Sequence, residues 1–300
     1  MNCFASKLVC ALLVALPLAL FCGCGGGGSG APSPTSTPRA TATARATATP
    51  QAVPSFTTAP GAMGSWQAAR FRESVGTLPY QLYVPDSLLA EKFPLVLFLH
   101  GAADSGTDNG QQMSVPESHL FVLPKNQAKY PCFFLAPQAP QGEPGGDGTW
   151  SGLDWAASNS TQRATPTAPM LLTLDLLRDL KRRFPAIDDK RIYVTGISMG
   201  GFGTWDAITR EPETFAAAIP ICGGGDPATV SRIASLPIWA WHDSGDNVIS
   251  VNRTRQMVAA LRAAGGEPLY TETSQYGHRA WRAAYKHAAL LPWLFAHKRS

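Results

Sequence analysis

Gly196-Ile197-Ser198-Met199-Gly200-Gly201 places a serine between glycines directly after the apolar run Ile192–Thr195. A Gly-x-Ser-x-Gly turn between a strand and a helix brings backbone segments too close for a Cβ and lifts the serine hydroxyl above the sheet. Ser198 is the candidate nucleophile. The Met199 N–H, opening the helix-like stretch Phe202–Ile208, points towards the oxyanion that attack on a carbonyl would create. A second N–H must come from the exit loop of an earlier strand. His100-Gly101-Ala102-Ala103 follows the apolar run Leu95–Leu99, and Ala102 is assigned as that donor, with Gly101 and Ala103 as alternatives. His100 itself reads as a buried histidine that shapes the loop.

A hydroxyl nucleophile needs a base, and the base needs an orienting carboxylate. His278, in Tyr276-Gly277-His278-Arg279-Ala280-Trp281, follows the last strand-like run and is the candidate base. His242-Asp243-Ser244-Gly245-Asp246 follows Ile238–Trp241, and Asp246, deeper in that loop, is the candidate acid. Asp243 is expected to be solvated or to cap the loop, and Asp226 is a third carboxylate to weigh. His119, His287 and His297 occupy no comparable position. The order Ser198…Asp246…His278 is that of α/β-hydrolases, and the chemistry is acyl transfer through a covalent intermediate. His242, Asp243 and Asp246 lack a zinc-like spacing with a further histidine, so neither metal nor cofactor is expected.

Positioning these residues falls to strands alternating with helices. Ala68–Val75 and Pro79–Val84, joined around Gly76, read as an antiparallel pair at a sheet edge. Leu95–Leu99, Cys132–Ala136, Ile192–Gly196, Ala216–Ile221 and Ile238–Trp241 are continuous apolar runs, as expected of strands covered on both faces. Leu269–Thr273 is a weaker one. Met170–Phe184 carries leucines at helical spacing and stops at Pro185, while Val251–Ala264 is closed by Gly265-Gly266. The expected class is α/β, with a mostly parallel sheet, helices on both faces and ligands beyond the carboxyl ends of the strands. Cys132 begins one strand and Cys222 ends another, so the two are expected to be free, buried thiols.

The chain has 300 residues and a formal net charge of +4. Residues 1–60 hold three basic residues (Lys7, Arg39 and Arg45) and no acid, which leaves the remainder at +1. A surface so balanced is not a phosphate-binding one, so no nucleic-acid partner is expected. Leu8–Phe21 follows Lys7 and is shorter than a spanning helix, which reads as an export signal. It ends at Cys22-Gly23-Cys24, similar to the lipobox of bacterial lipoproteins, so residues 1–23 are read as the signal and Cys24 as the lipidated first residue. Residues 24–63 are mostly Gly, Pro, Thr, Ala and Ser, a composition expected to form a disordered stalk. The catalytic domain is then 64–300, exported and tied to a membrane only through the lipid.

Several runs resemble one group of proteins: Leu99-His100-Gly101-Ala102, Gly106-Thr107-Asp108-Asn109, Ala136-Pro137-Gln138, Arg191 to Trp205, Pro220 to Asp226, and Gly277-His278 with Trp281. These resemble α/β-hydrolase serine esterases of the "predicted peptidase" or phospholipase/carboxylesterase-like group. That group is similar to feruloyl and acetyl xylan esterases, polyhydroxybutyrate depolymerases and prolyl-oligopeptidase catalytic domains. The resemblance covers about residues 66–296 and implies Ser198, Asp246 and His278 as the triad of a carboxylic-ester hydrolase. Short-chain or carbohydrate-linked acetyl and feruloyl esters are the expected substrates, with a serine peptidase or a lipid esterase as the alternatives. Trp150 and Trp155, in a Gly- and Pro-rich loop on the catalytic side, and Gln138 are read as substrate-facing, and Trp281 as packing beside His278.

Overall fold

The computed structural model describes residues 64–86, 92–140, 155–156 and 161–300. The chain divides into two units, 1–47 and 48–300, and every described residue lies in the second. The signal segment, Cys24, the whole stalk (24–63) and Trp150 lie outside the described residues.

Among the described residues, eight strands form one sheet in the order β1-β2-β4-β3-β5-β6-β7-β8. They are β1 Ser65–Glu73, β2 Gly76–Val84, β3 Phe93–Leu99, β4 Phe133–Pro137, β5 Ile187–Ile197, β6 Ala217–Ile221, β7 Trp239–Asp243 and β8 Leu269–Thr273. β1 and β2 form the antiparallel edge pair, β2 joins β4 antiparallel, and all later neighbours are parallel. The edge turn is Ser74-Val75, and Gly76, at φ +148°, opens β2 rather than sitting midway between the strands. β7 runs two residues further than its apolar stretch. His242 and Asp243 are therefore the buried end of a strand rather than the start of a loop.

Among the described residues there are six helices: α1 Pro124–Gln127, α2 Ala168–Arg183, α3 Met199–Arg210 and α4 Asn252–Ala263 lie between strands, and α5 Trp281–Ala284 and α6 Leu290–Ala296 follow β8. Thr167 starts α2 by accepting a hydrogen bond from the Met170 N–H at 3.3 Å. α4 ends at a left-handed glycine: Gly265 has φ +84°, its N–H reaches the Arg262 carbonyl at 3.1 Å, and the Gly266 N–H reaches Leu261 at 2.9 Å.

β3 shows why its sequence is apolar without alternation. Leu95, Leu97 and Leu99 pack in one layer with Leu174, Leu177 and Leu180 of α2. Val96 and Phe98 pack in the other with Phe121, Tyr285, Leu290 and Leu294. Both faces are covered, so both sets of alternate residues are apolar. Cys132 and Cys222 are free and buried, one just before β4 and the other just after β6. Among the described residues no helix is long and apolar enough to cross a membrane.

Candidate active site

Ser198 sits between the end of β5 and the start of α3 with φ +54° and ψ −118°. A serine is held in that sparsely populated region only because its surroundings leave no alternative. A Cβ on Gly196 would lie 2.2 Å from the Gly200 carbonyl oxygen, and one on Gly200 would lie 1.9 Å from that of Leu99. Only glycine fits either place, so β3, β5 and α3 close tightly enough to project Ser198 from the turn. The Ser198 N–H is anchored on the Ile221 carbonyl at 3.0 Å, which ties the turn to β6 as well.

Three side chains from three different strand ends converge. The Ser198 hydroxyl lies 2.9 Å from His278 Nε2. His278 Nδ1 lies 2.8 Å from Asp246 Oδ2 and 3.0 Å from Oδ1. The Val248 and Ile249 N–H groups both donate to Asp246 Oδ1 at 2.9 Å. Burial alone would push the Asp246 carboxyl up. The donor from His278 and those of Ile249 and Val248 outweigh it and hold the carboxyl below the ordinary carboxylate range. An ionised, fixed acceptor therefore meets Nδ1–H, and Nε2 is left to accept from Ser198. Trp281 stands edge-on to the His278 ring, centroids 5.8 Å apart.

The other carboxylates are engaged differently. Asp243 is buried, not solvated: it accepts from Thr273 Oγ1 at 2.7 Å and from the N–H groups of Gly245 and Tyr276 at 2.9 Å each. Those bonds join the ends of β7 and β8 and so hold the loop that carries His278. Asp226 caps the 3-10 turn Pro227–Ile233 through the Ala228 N–H and also accepts from the Gln162 N–H. His119 lies on the Met113 carbonyl, and His287 packs against Trp239 and Trp241.

Met199 is the first residue of α3, so its N–H has no carbonyl of its own helix to meet and adds to the positive end of the helix dipole. Ala102 opens a short 3-10 turn, Ala102–Asp104, with two residues between it and the end of β3. The Gly101 N–H donates to Asp104 Oδ2 at 3.2 Å. That bond takes Gly101 out of the set of donors and leaves Ala102 and Ala103. Asp104 is fixed in turn by the Ser114 hydroxyl. His100 braces the same loop: Nδ1–H donates to the Gly101 carbonyl at 2.7 Å and Nε2 accepts from the Ala139 N–H at 3.0 Å. Full burial pushes its pKa down to about 4, so the ring is neutral and holds one tautomer.

Two residues read as substrate-facing do not face substrate. Trp155 is fully buried, its indole N–H donates to the His100 carbonyl at 3.1 Å, and its ring packs edge-on against His100. Its Cβ fills the space beside Gly203 of α3. The aromatic in this loop is a brace for the β3 exit, because the apolar ring is worth more against the helix than in water. Gln138 is fully buried as well: Oε1 accepts from the Asn109 N–H at 2.7 Å and Nε2 donates to Asp108 Oδ1 at 2.8 Å. It ties the β4 exit to the Asp108-Asn109 turn and has no free group for a substrate.

Sequence reasoning treated His242 only as a metal candidate, whereas its Nε2 lies 3.2 Å from Asp246 Oδ2. The signal available was the i,i+4 spacing of the two residues. Cys222, His242 and Asp246 present ligand-capable atoms within 4.8 Å of one another. Asp246 already serves His278 and His242 the Ile249 carbonyl, so a cation there would have to compete with the triad.

Among solved structures, a thermostable esterase aligns over 78% of this chain and 63% of its own, with 38% identity and a TM-score of 0.70. The chain has the α/β-hydrolase fold. Residues 148–247 match the prolyl oligopeptidase family model. Poly(3-hydroxyalkanoate) depolymerase C of Paucimonas lemoignei is 28% identical over 162 residues, 53% of this chain and 34% of that protein. A bifunctional acetylxylan esterase/xylanase of Neocallimastix patriciarum is 25% identical over 192 residues, 64% of this chain and 25% of that protein. The chain thus spans about a third and a quarter of the length of these two relatives.

Proposed function

We propose that this chain is a serine hydrolase that cleaves carboxylic esters through an acyl-enzyme. The hydrogen-bonded series Ser198–His278–Asp246, beside two N–H donors at helix starts, carries the reading. Ser198 Oγ adds to the ester carbonyl as its proton passes to His278 Nε2. The Met199 N–H and the Ala102 N–H receive the oxyanion, and Asp246 stabilises the imidazolium. Collapse expels the alcohol with the His278 proton. Water, deprotonated by His278, then releases the acid and restores Ser198. Acetyl and feruloyl esters on carbohydrate are the substrates of choice, since relatives named for ester cleavage include an acetylxylan esterase. The prolyl oligopeptidase match keeps a peptidase as the second reading.

Initial rates of the full chain on p-nitrophenyl acetate, methyl ferulate and a peptide anilide test this. Hydrolysis of the esters well above that of the anilide is the expected result, and the ratio of the two ester rates reports whether an aromatic acyl group is accommodated. Turnover of the anilide alone would replace the esterase with the peptidase.

The same reading takes the enzyme outside the cytoplasm, with residues 24–63 as a tether from a lipidated Cys24. The cysteine after a short apolar run supports it, and more than one acyl chain gives stable anchoring. Cells fed a fatty-acid analogue should label the wild-type chain and not Cys24→Ser, and equal labelling of both would remove the anchor from the proposal.

A further inference from the structure

Asp246 is shared between two imidazoles. His278 meets Oδ2 at 2.8 Å from the solvent side, and His242, fully buried at the end of β7, meets the same oxygen at 3.2 Å from behind. The proton positions on His242 follow from its neighbours. Nε2 faces the Ile249 carbonyl at 3.0 Å and the Asp246 carboxylate, both of them acceptors only. A bare nitrogen lone pair there would oppose two oxygens, so Nε2 carries a proton. Nδ1 lies 2.7 Å from Thr254 Oγ1, which is 2.6 Å from the Gly223 carbonyl. The Thr254 hydroxyl can donate to a neutral ring, or accept from a protonated one while donating to Gly223. In both cases α4 and the β6 exit lock the ring plane, and Nε2–H stays aimed at Asp246.

We propose that His242 is a positioning residue for the triad acid, its Nε2–H fixing the Asp246 carboxylate in the orientation that meets His278. The backbone N–H groups of Val248 and Ile249 hold Oδ1 only, which leaves the torsion of the carboxylate to be set at Oδ2. His242 meets the carboxylate there from a place that water does not reach, with the Cys222 thiol as the other buried group against it. The ionisable groups around the ring are Asp246 on its own loop, His278 after β8, Glu272 of β8 and Cys222 at the end of β6. Burial lowers the affinity of His242 for a second proton, so it acts mainly as a fixed dipole. Without that donor, Asp246 is a stronger and less well-aimed acceptor, which holds the His278 imidazolium more tightly and slows its return of the proton.

This inference rests on the ester-hydrolase reading, and the experiment separates the two. The full chain, His242→Gln, His242→Leu and Ser198→Ala are assayed on p-nitrophenyl acetate between about pH 5 and pH 9, with sites counted by a fluorophosphonate. The glutamine amide can place an N–H where Nε2 stands, whereas leucine cannot. His242→Leu is expected to lower kcat per titrated site by about 10- to 100-fold, the range seen when an outer-shell partner is lost. KM should change little, and the acidic limb of kcat/KM should move to higher pH. His242→Gln should keep most of the rate and the position of the limb. Equal losses in both variants, or an unchanged per-site rate and limb in His242→Leu, would overturn the proposal. If His242→Leu yields no titratable sites, Thr254→Val decides: a lower per-site rate with a shifted limb supports it, and an unchanged rate and limb overturns it. Activity that persists in Ser198→Ala would instead sink the esterase reading itself.

Discussion

Ser198→Ala lowers kcat by about 10⁶, the scale on which a triad works as a unit. The hydroxyl is the group placed to form the acyl-enzyme, with Oγ 2.9 Å from His278 Nε2 at the tip of the strained turn. Its loss leaves His278 without a proton to take and the two helix-start N–H groups without a covalent intermediate to stabilise. A residual rate from those donors and from substrate binding remains. His278→Ala should cost nearly as much, and the double variant should be little worse than either single one, because each removal disables the same step. Single-turnover rates with an activated ester check this, together with thermal melts to show that the turn still folds. A Ser198→Ala variant retaining more than about a tenth of the wild-type rate would end the nucleophile assignment.

Asp246→Asn is the second large effect, about 10⁴ in kcat with the fold retained. The asparagine oxygen can still accept from Val248 and Ile249, which turns the amide NH₂ towards His278 Nδ1. That nitrogen must then become an acceptor, so the proton of a neutral ring moves to Nε2, where it faces Ser198 and blocks proton abstraction. The NH₂ also confronts the Nε2–H of His242, so part of the cost falls on stability, on the order of 1–3 kcal/mol for an unpaired buried donor. Asp243→Asn provides the contrast. Asp243 binds Thr273, Gly245 and Tyr276 rather than an imidazole, so its variant should change melting temperature more than kcat. The reverse ranking in kcat would transfer the acid role to Asp243.

Much of this architecture was legible in the sequence because it is written in local terms. The apolar runs before Ser198, after Phe93 and before His242 announce strands covered on both faces, and the turn glycines mark where backbone must approach backbone. Gly265-Gly266 mark the end of α4 for the same reason, since caps act within a few residues, whereas α2 starts at Ala168, two residues ahead of its read start, behind a Thr167 cap that the leucine pattern does not mark. Strand ends were less legible. β5 starts at Ile187, five residues ahead of its apolar run, because its early residues pair at the rim of the sheet beside Phe93.

The sequence alone supplied Ser198, Asp246 and His278, in that order, as candidate nucleophile, acid and base, since each follows a strand whose pattern is local. Only the tertiary structure decided which neighbours were scaffold. Trp155 and Gln138 look like binding groups in a one-dimensional reading, yet their partners, His100 and the Asp108-Asn109 turn, are about 30 or more residues away along the chain. His242 was weighed along the sequence only as a metal candidate, whereas the packing of the β7 end turns it onto Asp246. Burial and hydrogen-bond partnership between distant segments are properties of the packed chain, and no spacing rule along the sequence carries them.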